Sequence, residues 1–117
     1  MELSERQVKG VAVVDVCADF ALPTENPRPI REKVVALLHR GERLILLNLG
    51  NVRHTDSSFL AEIVESYKAA AAKGGILKLE HAEPRLRTML HTTALETIFN
   101  PYDAEDEAIA SFQRSFS

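Results

Sequence analysis

The sequence predicts an α/β fold, with a mixed or parallel β-sheet of about four or five strands covered by about four helices. Three observations carry this. Leu44 to Leu49 is a short, nearly uninterrupted apolar run, the pattern of a strand buried on both faces, and the turn signal Gly50-Asn51 follows it. From Leu60 the period changes. Leu60, Ile63, Val64, Tyr67 and Ala71 fall at i, i+3, i+4, i+7 and i+11, one face of an α-helix, with Glu62, Glu65, Ser66 and Lys73 on the solvated side. Strand-like and helix-like patterns then alternate along the chain, as a layered α/β sandwich requires.

In order, Val11 to Val16 is β-branched and apolar and reads as the first strand. Residues 17–29 lose periodicity, and Pro23, Pro27 and Pro29 rule out a continuous helix, so this is a connecting loop. The first helix starts near Pro29, presents Ile30, Val34, Leu37 and Leu38 inward, and ends at Gly41. The long helix stops at Gly74-Gly75, a C-cap and turn. Ile76 to Glu80 is the next strand. Pro84 opens a short helix with Leu86, Met89 and Leu90 inward, ending around Thr92-Thr93. Thr97 to Phe99 reads as a short final strand. Asp103 caps a last helix bearing Ala104, Ala108, Ile109, Phe112 and Phe116 inward, and Glu105 and Asp106 suit its first turn.

The totals exclude several function classes. A chain of 117 residues is of single-domain size, and 45% hydrophobic residues are enough for a folded core. A net charge of −3 without a Lys/Arg cluster argues against nucleic-acid binding. No apolar run approaches the roughly 20 residues of a membrane span, and Met1 to Gly10 is too polar for a signal peptide. The single Cys17 cannot form an internal disulfide; it reads as a small buried hydrophobe, and the chain as cytoplasmic. His39, His54, His81 and His91 lack metal-ligand spacing, so no metal or cofactor is expected, and they fit surface positions at element ends. His54-Thr55-Asp56-Ser57 holds the residue types of a hydrolytic triad, but sequence neighbours do not converge as that geometry demands. An enzyme is therefore not expected. The acidic run Asp103 to Glu107 reads as a helix start with a solvated face.

The candidate site lies between the central strand and the long helix. Asp56, Ser57 and Ser58 all favour an N-cap, and a helix N-terminus offers free N–H groups to an anion. A capping role alone accounts for roughly 1 kcal/mol per residue.

The stretch Leu46 to Ala61, LLNLGNVRHTDSSFLA, resembles the core of STAS domains, the sulfate-transporter and anti-sigma-factor-antagonist fold. Lys73 to Leu79, the helix through Leu90, and Leu95 to Phe99 fit the same pattern in the same order. The most specific element is Asp56-Ser57-Ser58-x-Leu60 directly after a buried strand ending in Asn-Leu-Gly. The resemblance implies a single STAS domain over residues 1–117, with a polar N-terminal end at 1–9 and a core at 10–116. It implies an anti-sigma-factor antagonist that binds an anti-sigma factor serine kinase and is switched off when that kinase phosphorylates Ser57. A serine phosphatase then resets the cycle.

Around Ser57, the resemblance and the local pattern single out Asp56, Ser58, Phe59, His54 and Arg53 for partner binding, the last two as cations facing an acidic partner. Three features depart from the family pattern. Phe59 stands where a Gly usually follows the Ser pair, a second small position is Ala61, and Asp19-Phe20-Ala21-Leu22 replaces a Gly-Glu-Leu-Asp stretch. Helical spacing puts Phe59 off the edge of the inner stripe, on the surface beside Ser57, as a partner anchor or an obstacle to a docking kinase. The alternative function is a non-phosphorylated STAS scaffold or adaptor, a stressosome-type component or a lipid-transport accessory subunit. Self-association is left open.

Overall fold

The structure, a computed structural model, describes residues 2–18, 29–53 and 55–114. The loop residues Pro23 and Pro27, the stretch Asp19 to Leu22, His54 and Phe116 lie outside the described residues. The elements run β1 (Glu2–Val8), β2 (Val11–Ala18), α1 (Pro29–His39), β3 (Leu44–Val52), α2 (Ser57–Ala72), β4 (Ile76–Glu80), α3 (Pro84–Thr92) and α4 (Glu105–Arg114). The strands lie in the order β1-β2-β3-β4; β1 is antiparallel to β2, and β2, β3 and β4 are parallel. This is the predicted mixed sheet with its covering helices.

Two layers of helix explain why the parallel strands read as continuous apolar runs. On one face Ala12, Val14, Val16, Ile45, Leu47, Leu49, Leu77 and Leu79 pack against α1, α2 and α3. On the other, Val11, Val13 and Leu46 meet Ala108, Ile109 and Phe112 of α4.

The first strand was not legible as one. The polar end expected at 1–9 is β1, joined to β2 through Lys9 and Gly10, both at positive φ (50° and 82°), as a type I′ hairpin turn requires. Besides its ladder with β2 and the partly buried Leu3 and Val8, ion pairs fasten this edge strand. Toward α1, Glu5 accepts from Lys33 at 2.8 Å and from Arg40 at 2.7 and 3.0 Å. Toward α4, Arg6 grips Asp15 and Glu105.

Four further expectations are corrected. The Gly50-Asn51 turn does not end β3, whose ladder continues to Val52 against Ala18 after a register shift in β2. Cys17 is exposed, because it continues the Val11-Val13-Asp15 face of β2 beyond the residues that pack against α4, while Val16 and Ala18 continue the opposite, buried face. Thr97 to Phe99 is not a strand; the chain touches the edge of β4 three residues later, where Tyr102 N–H donates to Leu79 O and His81 N–H to Tyr102 O. Helix α4 begins at Glu105, and Asp103, the predicted cap, instead pairs with Arg87 at 2.6 Å.

Candidate functional site

Strand β3 delivers the chain to the start of α2. Asp56 is extended (φ −139°, ψ −174°), and its Oδ1 accepts the Phe59 N–H at 2.9 Å, so it is the N-cap the sequence predicts. The Leu60 N–H closes the first turn on Asp56 O at 3.0 Å. Ser57 and Ser58 are exposed. Their own N–H groups precede the first helical acceptor and have no partner within the helix. Helix α2 carries no acidic residue in its first turn, so its positive end is answered there only by the cap. An anion attached to Ser57 would meet free donors and a favourable dipole.

The neighbouring helix starts hold this corner in place. Helices α1, α2 and α3 each follow a parallel strand and begin at the same edge of the sheet. The buried Thr55 hydroxyl donates to the Glu83 carboxylate, which also accepts the Leu86 N–H at 3.1 Å and so caps α3. On the inner side of α2, Glu62 Oε1 accepts the N–H groups of Ile30 and Arg31 at 3.0 and 3.2 Å, at the start of α1. The three helix ends are thus cross-linked by carboxylates, and the serine pair projects from that corner.

Of the predicted site residues, Asp56, Ser57 and Ser58 come together at the helix start. Arg53 is exposed at the end of β3, its N–H donating to Ala18 O at 2.8 Å, and His54 lies outside the described residues. Phe59 is a correction. It is 2% exposed, inside the main core, and neither an anchor nor an obstacle on the surface. The predicted stripe holds for Leu60 and Ile63, which are buried, and for Val64 and Tyr67, which pack against the core; it widens to take in Phe59, Glu62, Ser66 and Ala70, and Ala71 is exposed. Glu62 and Ser66, expected in solvent, are buried; Ser66 is satisfied by Glu62 O at 2.7 Å. Sequence reasoning gave Thr55 and Glu83 no supporting role and placed Glu62 in solvent. Glu83 directly before Pro84 was a readable cap signal, whereas nothing local marks Thr55 or Glu62. His39, His81 and His91 are exposed at element ends, as expected.

Comparison with known proteins follows the same geometry. A family model described as "Mlab, STAS domain" matches residues 21–100. BtrV of Bordetella bronchiseptica, named as an anti-sigma factor antagonist, is 22% identical over 113 residues, covering 97% of this chain and 96% of its own length. The crystal structure of TM1081 from Thermotoga maritima, also named as an anti-sigma factor antagonist, is 27% identical, with a TM-score of 0.77 over 93% of this chain and 92% of that one. The phosphorylated form of SpoIIAA, a Bacillus cell fate determinant, shares the fold at 18% identity, with a TM-score of 0.71 over 95% and 99% of the two chains.

Proposed function

The chain belongs to the STAS domain family, and from that membership we propose that it is an anti-sigma-factor antagonist whose switch is Ser57. It is one cytoplasmic STAS domain, a binding module and kinase substrate without catalysis of its own. Unmodified, it binds an anti-sigma factor serine kinase through the corner formed by Ser57, Ser58, Asp56 and Arg53, with His54 as a further partner-binding residue. Phosphorylation of Ser57 ends the complex, and a serine phosphatase restores it. The names of BtrV and TM1081 support the antagonist role.

The observation that carries the reading is the exposed Ser57 hydroxyl directly after the Asp56 cap. A phosphate there adds about −1.5 to −2 charges and three acceptor oxygens, which the first-turn N–H groups can receive, so the fold survives. A partner surface fitted to a neutral hydroxyl beside Asp56 meets bulk and like charge instead, at a cost of several kcal/mol. About 4 kcal/mol is roughly a thousandfold in affinity. The test is titration calorimetry of wild type, Ser57→Ala and Ser57→Asp against the partner kinase. Ser57→Asp is expected to bind far more weakly and Ser57→Ala close to wild type. Equal, tight binding by Ser57→Asp overturns the switch.

The second reading, a non-phosphorylated STAS scaffold or adaptor of the stressosome or lipid-transport accessory kind, draws support from the Mlab description of the matching family model. It predicts a stable stoichiometric complex indifferent to Ser57→Asp.

A further inference from the structure

On the α4 side of the sheet, Asp15, Asn48 and Glu80 are register partners on β2, β3 and β4. Asn48 donates to Asp15 at 2.8 Å, and Arg6 of β1 bridges Asp15, at 2.6 and 2.8 Å, to Glu105 of α4, at 2.7 and 3.0 Å. Glu80 ends this row differently. Its side chain is 0% exposed, and neither carboxylate oxygen has a hydrogen-bond partner among the described residues.

The groups around Glu80 do not favour a second buried anion. Glu105 faces it from α4 and Asp15 from β2, and the Arg6 guanidinium is already shared between those two carboxylates. From β3 comes only the neutral Asn48. The exposed His81 ring, next in the chain, stands 3.8 Å away, and Tyr102 meets Glu80 through the backbone bridge. Three carboxyl groups around one guanidinium, one of them fully desolvated, call for a proton on the buried member. We propose that Glu80 is a proton-held latch: protonated, it donates to the Glu105 carboxylate and seats the first turn of α4 on the sheet, and losing that proton to water releases the turn.

Burial first, then the Glu105 carboxylate, pushes the Glu80 carboxyl up to about 8, while Arg6 holds Glu105 below its usual range. Opening α4 returns Glu80 to an ordinary acidity, so the open form binds the proton less tightly than the closed one. Opening is therefore favoured progressively as pH rises from the ordinary carboxylate range to about 8, by roughly tenfold per unit, and levels off above that.

The experiment is carboxyl carbon NMR of the full chain with labelled glutamate, combined with α4 amide exchange corrected for intrinsic base catalysis. One glutamate is expected to titrate far above the others, with α4 protection falling progressively from the ordinary carboxylate range up to that titration and levelling off above it. Glu80→Gln should remove that titration and flatten the α4 profile. A Glu80 that titrates with ordinary carboxylates, or α4 protection in wild type that ignores pH, overturns the latch. Both of those readings come from the wild-type chain, so they stand even if Glu80→Gln does not fold.

Discussion

Replacing Glu62 by alanine removes a carboxylate that is 4% exposed and accepts two N–H groups at the start of α1. Those donors belong to the first turn of α1 and have no acceptor within their own helix. Hydrogen bonds to a charged group contribute roughly 1.5–3 kcal/mol each, and a buried donor left unmade costs a comparable amount. The Ile30 donor is buried, whereas the Arg31 donor is only partly so and water can reach it. Removing the carboxylate also removes its own desolvation cost, which offsets part of the loss. The net destabilisation is therefore about 2–4 kcal/mol, a large share of the ~5–15 kcal/mol that holds a domain folded. Glu62→Gln keeps an acceptor oxygen in place and gives up only the charge, so it should lose about 1 kcal/mol. Urea unfolding followed by far-ultraviolet circular dichroism measures both, provided the denaturant slope is unchanged. Glu62→Ala within about 0.5 kcal/mol of wild type, or Gln as damaging as Ala, would refute the reasoning.

Other perturbations test the core, a turn and the edge strand. Phe59→Ala should cost about 3–5 kcal/mol by opening a cavity between α2 and the sheet; a thermal melt unchanged from wild type would return Phe59 to the surface. Gly75→Ala should destabilise by roughly 1–3 kcal/mol in urea, because its Cβ would lie 2.8 Å from the Arg43 carbonyl oxygen, which is backbone and cannot swing aside. Hydrogen bonds from Arg40 and Lys33 hold Glu5 down to about 2. Its folded pKa lies below its unfolded one, so this contribution is complete above the ordinary carboxylate range and is lost as pH falls toward about 2. Arg40→Ala should bring the Glu5 titration back toward 4.5 in carboxyl carbon NMR, and an unmoved titration contradicts the pairing.

Where one period or one punctuating residue dominates a segment, the chain could be read directly. Ile76–Glu80 forms β4 with the predicted limits, Pro29 opens α1, and Asp56 caps α2 because its side chain reaches an N–H three residues on. The misses share a cause, which is stabilisation by distant partners. Strand β1 is held by its ladder with β2 and by ion pairs from Glu5 to Lys33 and Arg40 and from Arg6 to Asp15 and Glu105, and its own residues carry almost no alternation of apolar side chains. The buried face of α2 was drawn too narrow, because the apolar spacing of Leu60, Val64 and Tyr67 says nothing of two buried polar side chains beside it. Glu62 is satisfied from α1, and Ser66 by a back-bond within its own helix. Glu105 sits in an acidic run that reads as solvated, and it faces the buried Glu80 only once α4 folds over the sheet. At the candidate site the serine pair was legible, whereas its support from Thr55 and Glu83 depends on α3 arriving beside α2.

Intact-mass spectrometry of the protein from its native cells, with peptide mapping across residues 54–68, tests the central claim most directly. The account predicts a single phosphate on Ser57 in part of the population, removable by a serine phosphatase. A peptide that stays unmodified after incubation with the partner kinase and ATP would contradict it, as would a phosphate on a residue other than Ser57.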